Sequence, residues 1–287
     1  MDTPKLQAKI DTLEQQAQKL YAPCHGGDLV FRRWTGPAST PTLLLVHGGS
    51  GSWLHWFQNI PSLLAYCHIV AVDLPGLGDS AALPTNYSAT DAIDVFVAGC
   101  REVLPNEPFH IAAFSWGCAV AAQASSELEP QLRSVLLAGP ASLGDIPRRE
   151  MMKPLLKRST DMTQAQIYAT HRENLARLMI YDRSRIDDMA VYIQTLNTRQ
   201  ARFNSPQFSR TSLAIDGVAA TSVPTKVIYG EFDAPALPDI TGKRALFEDA
   251  GASIDFDVIA DAGHWVQYEQ PGAYNKMALH WLMKHRY

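Results

Sequence analysis

Residues 109–122 read FHIAAFSWGCAVAA and place Ser115 at an abrupt change of pattern. The apolar run before the serine is typical of a buried strand, and the alanine-rich run after it is typical of a helix. A strand that turns directly into a helix strains the backbone of the residue at the turn, so its neighbours must be small. Ala113 and Gly117 meet that need, although the usual G-x-S-x-G pattern has glycine at the first position. Ser115 is therefore either an exposed nucleophile or a helix N-cap.

The composition favours one globular domain that acts on a small molecule. The chain has 287 residues, of which 46% are hydrophobic, which is enough for a large core. The net charge is -4 and the basic residues form no long run, so a nucleic-acid or membrane partner is not expected. The four cysteines lack zinc-site spacing, and no phosphate loop or dinucleotide fingerprint occurs, so we predict no metal and no cofactor.

The N-terminus lacks the basic start and apolar core of a signal peptide, and no apolar run is long enough to span a membrane. The cysteines are expected to be reduced thiols, which fits a cytoplasmic protein. The oligomeric state stays open, with a homodimer as one alternative.

Strand and helix patterns alternate along most of the chain. Helical spacing of apolar residues from Pro4 to Leu20 predicts an amphipathic leading helix within residues 1–25. Further helices are expected near residues 56–65, 91–103 and 274–285. Continuous apolar runs predict strands at residues 28–34, 42–46, 67–73, 109–114, 133–138, 225–230 and 252–259. This alternation predicts an α/β fold with a mostly parallel central sheet flanked by helices.

The pattern changes between residues 144 and 216, where strand runs vanish and apolar residues recur at helical spacing among polar ones. We predict a helical lid here, called the insertion below. The core domain is then formed by residues 1–143 and 217–287.

Three side chains with the chemistry of acyl transfer each follow a predicted strand. They are Ser115, Asp233 and His264, in that order along the chain. The carboxyl ends of parallel strands lie at one edge of an open α/β sheet, where active sites form. A serine hydroxyl needs a neighbouring base, and the imidazole needs a carboxylate to fix its tautomer. We predict that these residues are the nucleophile, the acid and the general base.

The motifs that surround these residues resemble those of the α/β-hydrolase-fold family, from about Asp28 to the C-terminus. The motifs, in order, are His47-Gly48-Gly49, the run DLPGLGDS at 73–80, the Ser115 turn, Gly230-x-x-Asp233 and Gly263-His264. The serine nucleophile is similar to that of the esterase and meta-cleavage-product-hydrolase branches. It differs from the aspartate of the haloalkane dehalogenase and epoxide hydrolase branches.

The resemblance implies several site roles. Among the acids near the predicted edge, only Asp233 has the family spacing; its rivals are Glu231, Asp239, Asp257 and Asp261. In this family, backbone N–H groups after the nucleophile and in the first glycine-rich loop bind the oxyanion. Those positions are Trp116 and Gly49, with Ser50 as a second candidate in the loop.

Five further side chains are candidates for the substrate pocket. Phe114, Trp53 and Trp265 supply apolar surface near the motifs, with core packing as the alternative interpretation. Arg199 and Arg202 lie in the insertion, where a guanidinium facing the pocket could bind a substrate carboxylate bidentately.

Three functions remain open on these residues. Hydrolysis of a small carboxylic ester or lactone through an acyl-enzyme is the plain interpretation. The run HWVQYE at 264–269 is similar to the segment after the histidine in meta-cleavage-product hydrolases, which cleave a carbon–carbon bond of a vinylogous diketone. Phe114 argues against that function, because those enzymes often have asparagine there. The third alternative is a ligand receptor built on the same fold.

Overall fold

A computed structural model of the protein describes residues 1–145 and 153–286. Eight strands occur in this part of the chain: β1 (Gln18–Cys24), β2 (Gly27–Trp34), β3 (Thr42–Val46), β4 (His68–Val72), β5 (Phe109–Phe114), β6 (Leu132–Ala138), β7 (Thr225–Gly230) and β8 (Ile254–Ile259). They form one sheet in the order β1-β2-β4-β3-β5-β6-β7-β8. The pairs β1–β2 and β2–β4 are antiparallel, and all other pairs are parallel. The predicted, mostly parallel sheet is confirmed.

Helices connect these strands. They are α1 (Thr3–Glu14), α2 (Ile60–Leu63), α3 (Ala89–Val103), α4 (Trp116–Leu128), α5 (Gln164–Leu178), α6 (Asp188–Gln200), α7 (Leu213–Ala219), α8 (Gly242–Asp249), α9 (Val266–Glu269) and α10 (Pro271–Lys284). Short 3-10 turns add Trp53–Trp56, Arg183–Arg185 and Ser205–Phe208.

The central strands are buried on both faces because alternate side chains enter different cores. In β3, Leu44 and Val46 belong to a core shared with α3, α4, α7 and α8. Leu43 and Leu45 belong to a second core shared with α1, α2 and α10. Helices therefore cover both faces of the sheet, and the loops after the parallel strands meet at one edge.

The leading helix is shorter than the sequence indicates, which corrects our assignment of residues 1–25. Helix α1 ends at Glu14, and Gln18–Cys24 forms the edge strand β1. Each residue of β1 pairs with one of β2, and the turn at His25 and Gly26 has positive φ angles. From Tyr21 to Cys24 the side chains alternate between exposed and buried positions, so pairing with β2 outweighs the local helical spacing.

The end of the insertion also differs from the predicted boundary at residue 216. Helix α7 crosses that boundary and packs on α4: a Cβ on Gly217 would lie 2.5 Å from the backbone carbon of Ala122. The segment from Leu213 onward therefore packs with the core domain. Within the insertion, residues 146–152 lie outside the part of the chain that the structure describes.

None of the described helices is both long enough and apolar enough to cross a membrane. The four cysteines are buried and form no disulfide. Burial raises the pKa of the Cys67 thiol to about 12, so this side chain packs as a small neutral group.

Candidate active site

Ser115 lies on the turn that joins β5 to α4, in strained backbone with φ of 53° and ψ of −115°. Backbone hydrogen bonds hold it there: its N–H donates to Ala138 O at 2.9 Å, and its carbonyl accepts from Ala141 N at 3.3 Å. A Cβ on Gly117 would lie 2.4 Å from the carbonyl oxygen of His47. The tight turn predicted from the small neighbours of Ser115 is therefore present.

The structure brings the three predicted side chains into one hydrogen-bonded relay. Ser115 Oγ lies 3.0 Å from His264 Nε2, and His264 Nδ1 lies 2.9 Å from Asp233 Oδ2. The carboxylate favours the tautomer with hydrogen on Nδ1, which leaves Nε2 to accept the serine proton. Asp233 is fully buried and His264 nearly so. The arrangement can activate the hydroxyl as a nucleophile.

The Asp233 carboxylate is held from two sides. Its second oxygen, Oδ1, accepts the Ala236 N–H at 3.0 Å. Gly139 packs against the other side with φ of +52°, where a Cβ would lie 2.9 Å from both Asp233 Oδ2 and His264 Nδ1. Only a glycine leaves this hydrogen bond undisturbed.

The rival acids make other contacts. Glu231 accepts the backbone N–H of Asp261, Asp239 accepts that of Gly242, and Asp257 pairs with Lys226. Of the candidate acids, Asp233 is therefore the one bonded to His264.

The predicted oxyanion donors flank the nucleophile. Trp116 is the first residue of α4, and a Cβ on Gly48 would lie 3.0 Å from the Cβ of Ser115. In the part of the chain described, the backbone N–H groups of Gly49, Ser50 and Trp116 donate no hydrogen bond. Unpaired amides beside a nucleophile are the groups that can stabilise an oxyanion.

His55 braces this glycine-rich loop, a role that the sequence did not reveal. Its Nδ1 accepts the Gly48 N–H at 3.2 Å. Burial lowers the pKa of His55 well below its usual value, and the neighbouring His47 and His264 lower it further. The ring is therefore neutral, which leaves Nδ1 free to accept. Its segment reads only as a tryptophan-rich turn, so no motif marks it.

The three aromatic candidates make different contacts, and only the Phe114 ring is described against a side chain of the relay. The Phe114 ring packs 5.0 Å from the His264 ring, measured between centroids. Trp265 is fully buried, and its Nε1 donates to His55 O at 2.9 Å. Trp53 packs instead on Trp34 and under the Arg32 guanidinium, within the core.

The two arginine candidates do not contact the relay. Arg202 donates to the carbonyl oxygens of Ser80 at 2.6 Å and of Gly78 at 3.3 Å. Arg199 is exposed near the end of α6. Arg202 thus fastens the insertion to the 73–80 loop.

The last part of the insertion covers the nucleophile turn with an aromatic cluster. The Trp116 ring lies 5.3 Å from the Phe208 ring and 5.6 Å from the Phe203 ring. Tyr87 stacks on Phe203 at 4.7 Å, and its hydroxyl accepts the Asn204 N–H at 2.7 Å. Scattered aromatic residues carry no functional pattern, so sequence reasoning missed this contact.

Glu269 joins the histidine loop to the insertion. Its buried carboxylate accepts three backbone N–H groups, from Gly263 at 2.8 Å, Tyr181 at 3.0 Å and Asp182 at 2.7 Å. Gly263 directly precedes His264, so Glu269 fixes the backbone next to the base. The sequence offers only the family-like segment in which Glu269 occurs.

The chain is similar to several known proteins. Residues 43–277 match the family model described as the alpha/beta hydrolase family. The chain is 26% identical to the dihydrolipoyllysine-residue acetyltransferase component of the acetoin cleaving system of Pseudomonas putida, over 91% of this chain and 68% of that protein. It is 24% identical to a 2-hydroxy-6-oxononadienedioate/2-hydroxy-6-oxononatrienedioate hydrolase of Cupriavidus pinatubonensis, over 96% of this chain and 99% of that one.

Among solved structures, the naproxen esterase of Bacillus subtilis is similar with a TM-score of 0.71 and 18% identity, covering 97% of both chains. At this identity the likeness establishes the fold and leaves the substrate open.

Proposed function

Because the chain belongs to the alpha/beta hydrolase family, we propose that it is a serine hydrolase of small carboxylic esters or lactones that works through an acyl-enzyme. The relay from Ser115 through His264 to Asp233, with contacts of 3.0 and 2.9 Å, carries this proposal. A serine that only caps a helix needs no base, whereas a nucleophile does.

Acylation uses the groups in the order in which the relay presents them. Ser115 Oγ attacks the acyl carbon while His264 Nε2 takes the hydroxyl proton, and Asp233 stabilises the imidazolium. The carbonyl oxygen becomes an oxyanion, which the amides of Gly49 and Trp116 bind, with Ser50 as the alternative loop donor. His264 then gives its proton to the departing alkoxide oxygen.

Deacylation repeats the sequence with water. His264 takes a proton from the water, the hydroxide oxygen attacks the acyl carbon, and Ser115 leaves with the proton returned by His264. The products are the acid and the regenerated enzyme.

Carbon–carbon bond hydrolysis is the second candidate, favoured by the full-length similarity to the Cupriavidus hydrolase. Two observations weigh toward esters. Apolar Phe114 precedes the nucleophile and packs on His264. Arg202 donates to carbonyl oxygens of the 73–80 loop and Arg199 is exposed, so neither arginine offers a buried site for the carboxylate of a dienoate.

We would first measure hydrolysis of p-nitrophenyl acetate and butyrate by the wild type and Ser115→Ala. The variant should lose roughly 10⁴-fold or more in kcat. Ser125→Ala is the matched control, since this serine is buried in α4 and its hydroxyl only bonds back to Ala121 O at 2.7 Å. Its activity should be unchanged.

A ring-opened vinylogous diketone is the competing substrate in the same experiment. Faster cleavage of the diketone than of the esters would replace our proposal with the carbon–carbon reaction. Reaction of folded protein with neither substrate would favour a ligand receptor. Activity retained in Ser115→Ala would refute the nucleophile assignment.

A further inference from the structure

Ser205, in the insertion, lies against the glycine-rich loop beside the nucleophile. A Cβ on Gly49 would lie 2.0 Å from Ser205 Oγ and 3.7 Å from the Cβ of Trp116. The Ser205 hydroxyl is thus next to the α-carbon of Gly49, on the side of Gly49 that faces Trp116. Both Gly49 and Trp116 are candidate oxyanion donors. A Cβ on Gly48 would lie 3.0 Å from the Cβ of Ser115, so the same loop contacts the nucleophile.

Ser205 is 8% exposed, and no hydrogen bond joins its hydroxyl to another residue that the structure describes. Phe203 and Phe208 of the same segment pack on Trp116, so the surroundings are largely apolar. With no partner among the described residues, the hydroxyl can donate to an atom of the substrate.

Anchors on both sides hold Ser205 in position. Arg202 N–H donates to Gly76 O at 2.8 Å just before it, and Asn204 N–H donates to the Tyr87 hydroxyl at 2.7 Å. After it, the carbonyl of Phe208 accepts the Ser142 hydroxyl at 3.0 Å. A donor fixed before the reaction stabilises developing charge without the cost of reorganisation.

We infer that Ser205 donates a hydrogen bond to the oxyanion of the tetrahedral intermediate, together with the amides of Gly49 and Trp116. The inference rests on the proposed function, because it requires acyl transfer at Ser115. No bond to Ser205 forms or breaks; its hydroxyl donates to the substrate oxygen while that oxygen carries negative charge. The insertion thereby completes the oxyanion site and does more than cover it.

The test compares Ser205→Ala with the wild type on p-nitrophenyl butyrate and on a trifluoromethyl ketone, which forms a tetrahedral adduct with the nucleophile. Removing one oxyanion donor lowers rates by about 10²–10³-fold, and a donor that assists two amides should contribute about tenfold or more. We expect kcat to fall and the inhibition constant of the ketone to rise by the same factor, with KM unchanged. Only transition-state stabilisation changes these quantities in parallel.

Ser212→Ala is the matched control, because it removes another serine hydroxyl of the insertion, one that bonds to the Asp216 carboxylate. It should leave kcat and ketone affinity nearly unchanged, and Ser205→Ala should leave the melting temperature unchanged. Unaltered kcat in Ser205→Ala would overturn the inference. So would faster turnover, which would make Ser205 a steric obstacle. If the wild type reacts with neither ester nor ketone, the proposed function fails and this inference fails with it.

Discussion

At the scale of single residues, the site depends on backbone conformations that most side chains avoid. Ser115 has φ of 53°, and Gly139, beside the Asp233–His264 hydrogen bond, has φ of 52°. Ser115 must carry a side chain in spite of the strain, because its hydroxyl is the proposed nucleophile. Gly139 must carry none, because a Cβ would press on both partners of the hydrogen bond.

Gly139→Ala should therefore reduce catalysis beyond its effect on folding. The new Cβ would lie 2.9 Å from Asp233 Oδ2 and from His264 Nδ1, so the pair must separate. The control is Gly251→Ala, because Gly251 also has positive φ, at +82°, but a Cβ on it would meet open space, with no neighbouring atom within 4 Å.

Both substitutions should lower the free energy of unfolding by about 1–2 kcal/mol, the cost of left-handed backbone for a residue with a Cβ. Only Gly139→Ala should lower kcat, by about tenfold or more if the imidazole loses its orientation. Urea unfolding and ester hydrolysis measure the two effects. Equal kcat in the two variants would contradict the role assigned to Gly139.

At the scale of elements, Glu269 connects three parts of the fold. It lies at the end of α9, and its carboxylate binds backbone N–H groups of the histidine loop and of the turn after α5. The backbone N–H of Trp265 also donates to Met179 O at 2.7 Å, next to the same turn. The base is therefore positioned partly by the insertion.

Glu269→Gln should impair this positioning. A carboxylate accepts hydrogen bonds at both oxygens, whereas an amide has one oxygen and one NH₂ group. In Glu269→Gln the NH₂ group would face a backbone N–H, and two donors repel each other. Hydrogen bonds to a charged acceptor contribute about 1.5–3 kcal/mol each, so both stability and kcat should fall. KM should change little, because no substrate contact is removed. Urea unfolding and ester kinetics measure these effects.

Glu173→Gln provides the control on the insertion. Glu173 pairs with Arg177 and Arg183 near the surface, where ion pairs contribute roughly 0–1 kcal/mol. If Glu269→Gln behaved like Glu173→Gln in both measurements, the coupling between the insertion and the base would be refuted.

At the scale of the whole molecule, the large core holds histidines in their neutral form. Burial lowers the pKa values of His47 and His55, and it lowers those of His110 and His171 to about 4. His110 lies in β5 and bonds to Ser134 Oγ at 2.8 Å, away from the relay. Nearby His285 and Arg133 add smaller unfavourable contributions to its protonation.

The pH dependence of stability follows from these shifts. An unfolded histidine binds a proton below about pH 6.5, whereas folded His110 does so only below about 4. The unfolded state therefore binds more protons between these values, and stability falls as the pH drops through that window.

Between pH 7 and pH 5, the free energy of unfolding of His110→Asn should fall by about 2 kcal/mol less than that of the wild type. Asparagine can still bond to Ser134 but does not titrate. Urea unfolding at the two pH values measures the difference. His280→Asn removes an exposed histidine of α10 as the control, and it should leave the pH dependence as in the wild type. An unchanged slope in His110→Asn would show that His110 is not held neutral.

Much of the sheet and the order of the site residues could be predicted from the sequence because both leave local patterns. Continuous apolar runs marked the parallel strands, since strands buried on both faces need apolar side chains at every position. Small residues marked the turn at Ser115. The edge strand β1 was missed because the helical spacing of its own residues gives no information about its pairing with β2.

By itself the sequence determined the fold class and indicated the candidates for the relay, with Asp233 favoured among several acids, because each depends on residue types within a short window. The tertiary structure decided which acid bonds to His264, that Arg202 binds loop carbonyls, and that Ser205, His55 and Glu269 lie at the site. Those contacts join residues far apart in the chain. They depend on how the insertion packs on the loops at the sheet edge, and no local pattern encodes such packing.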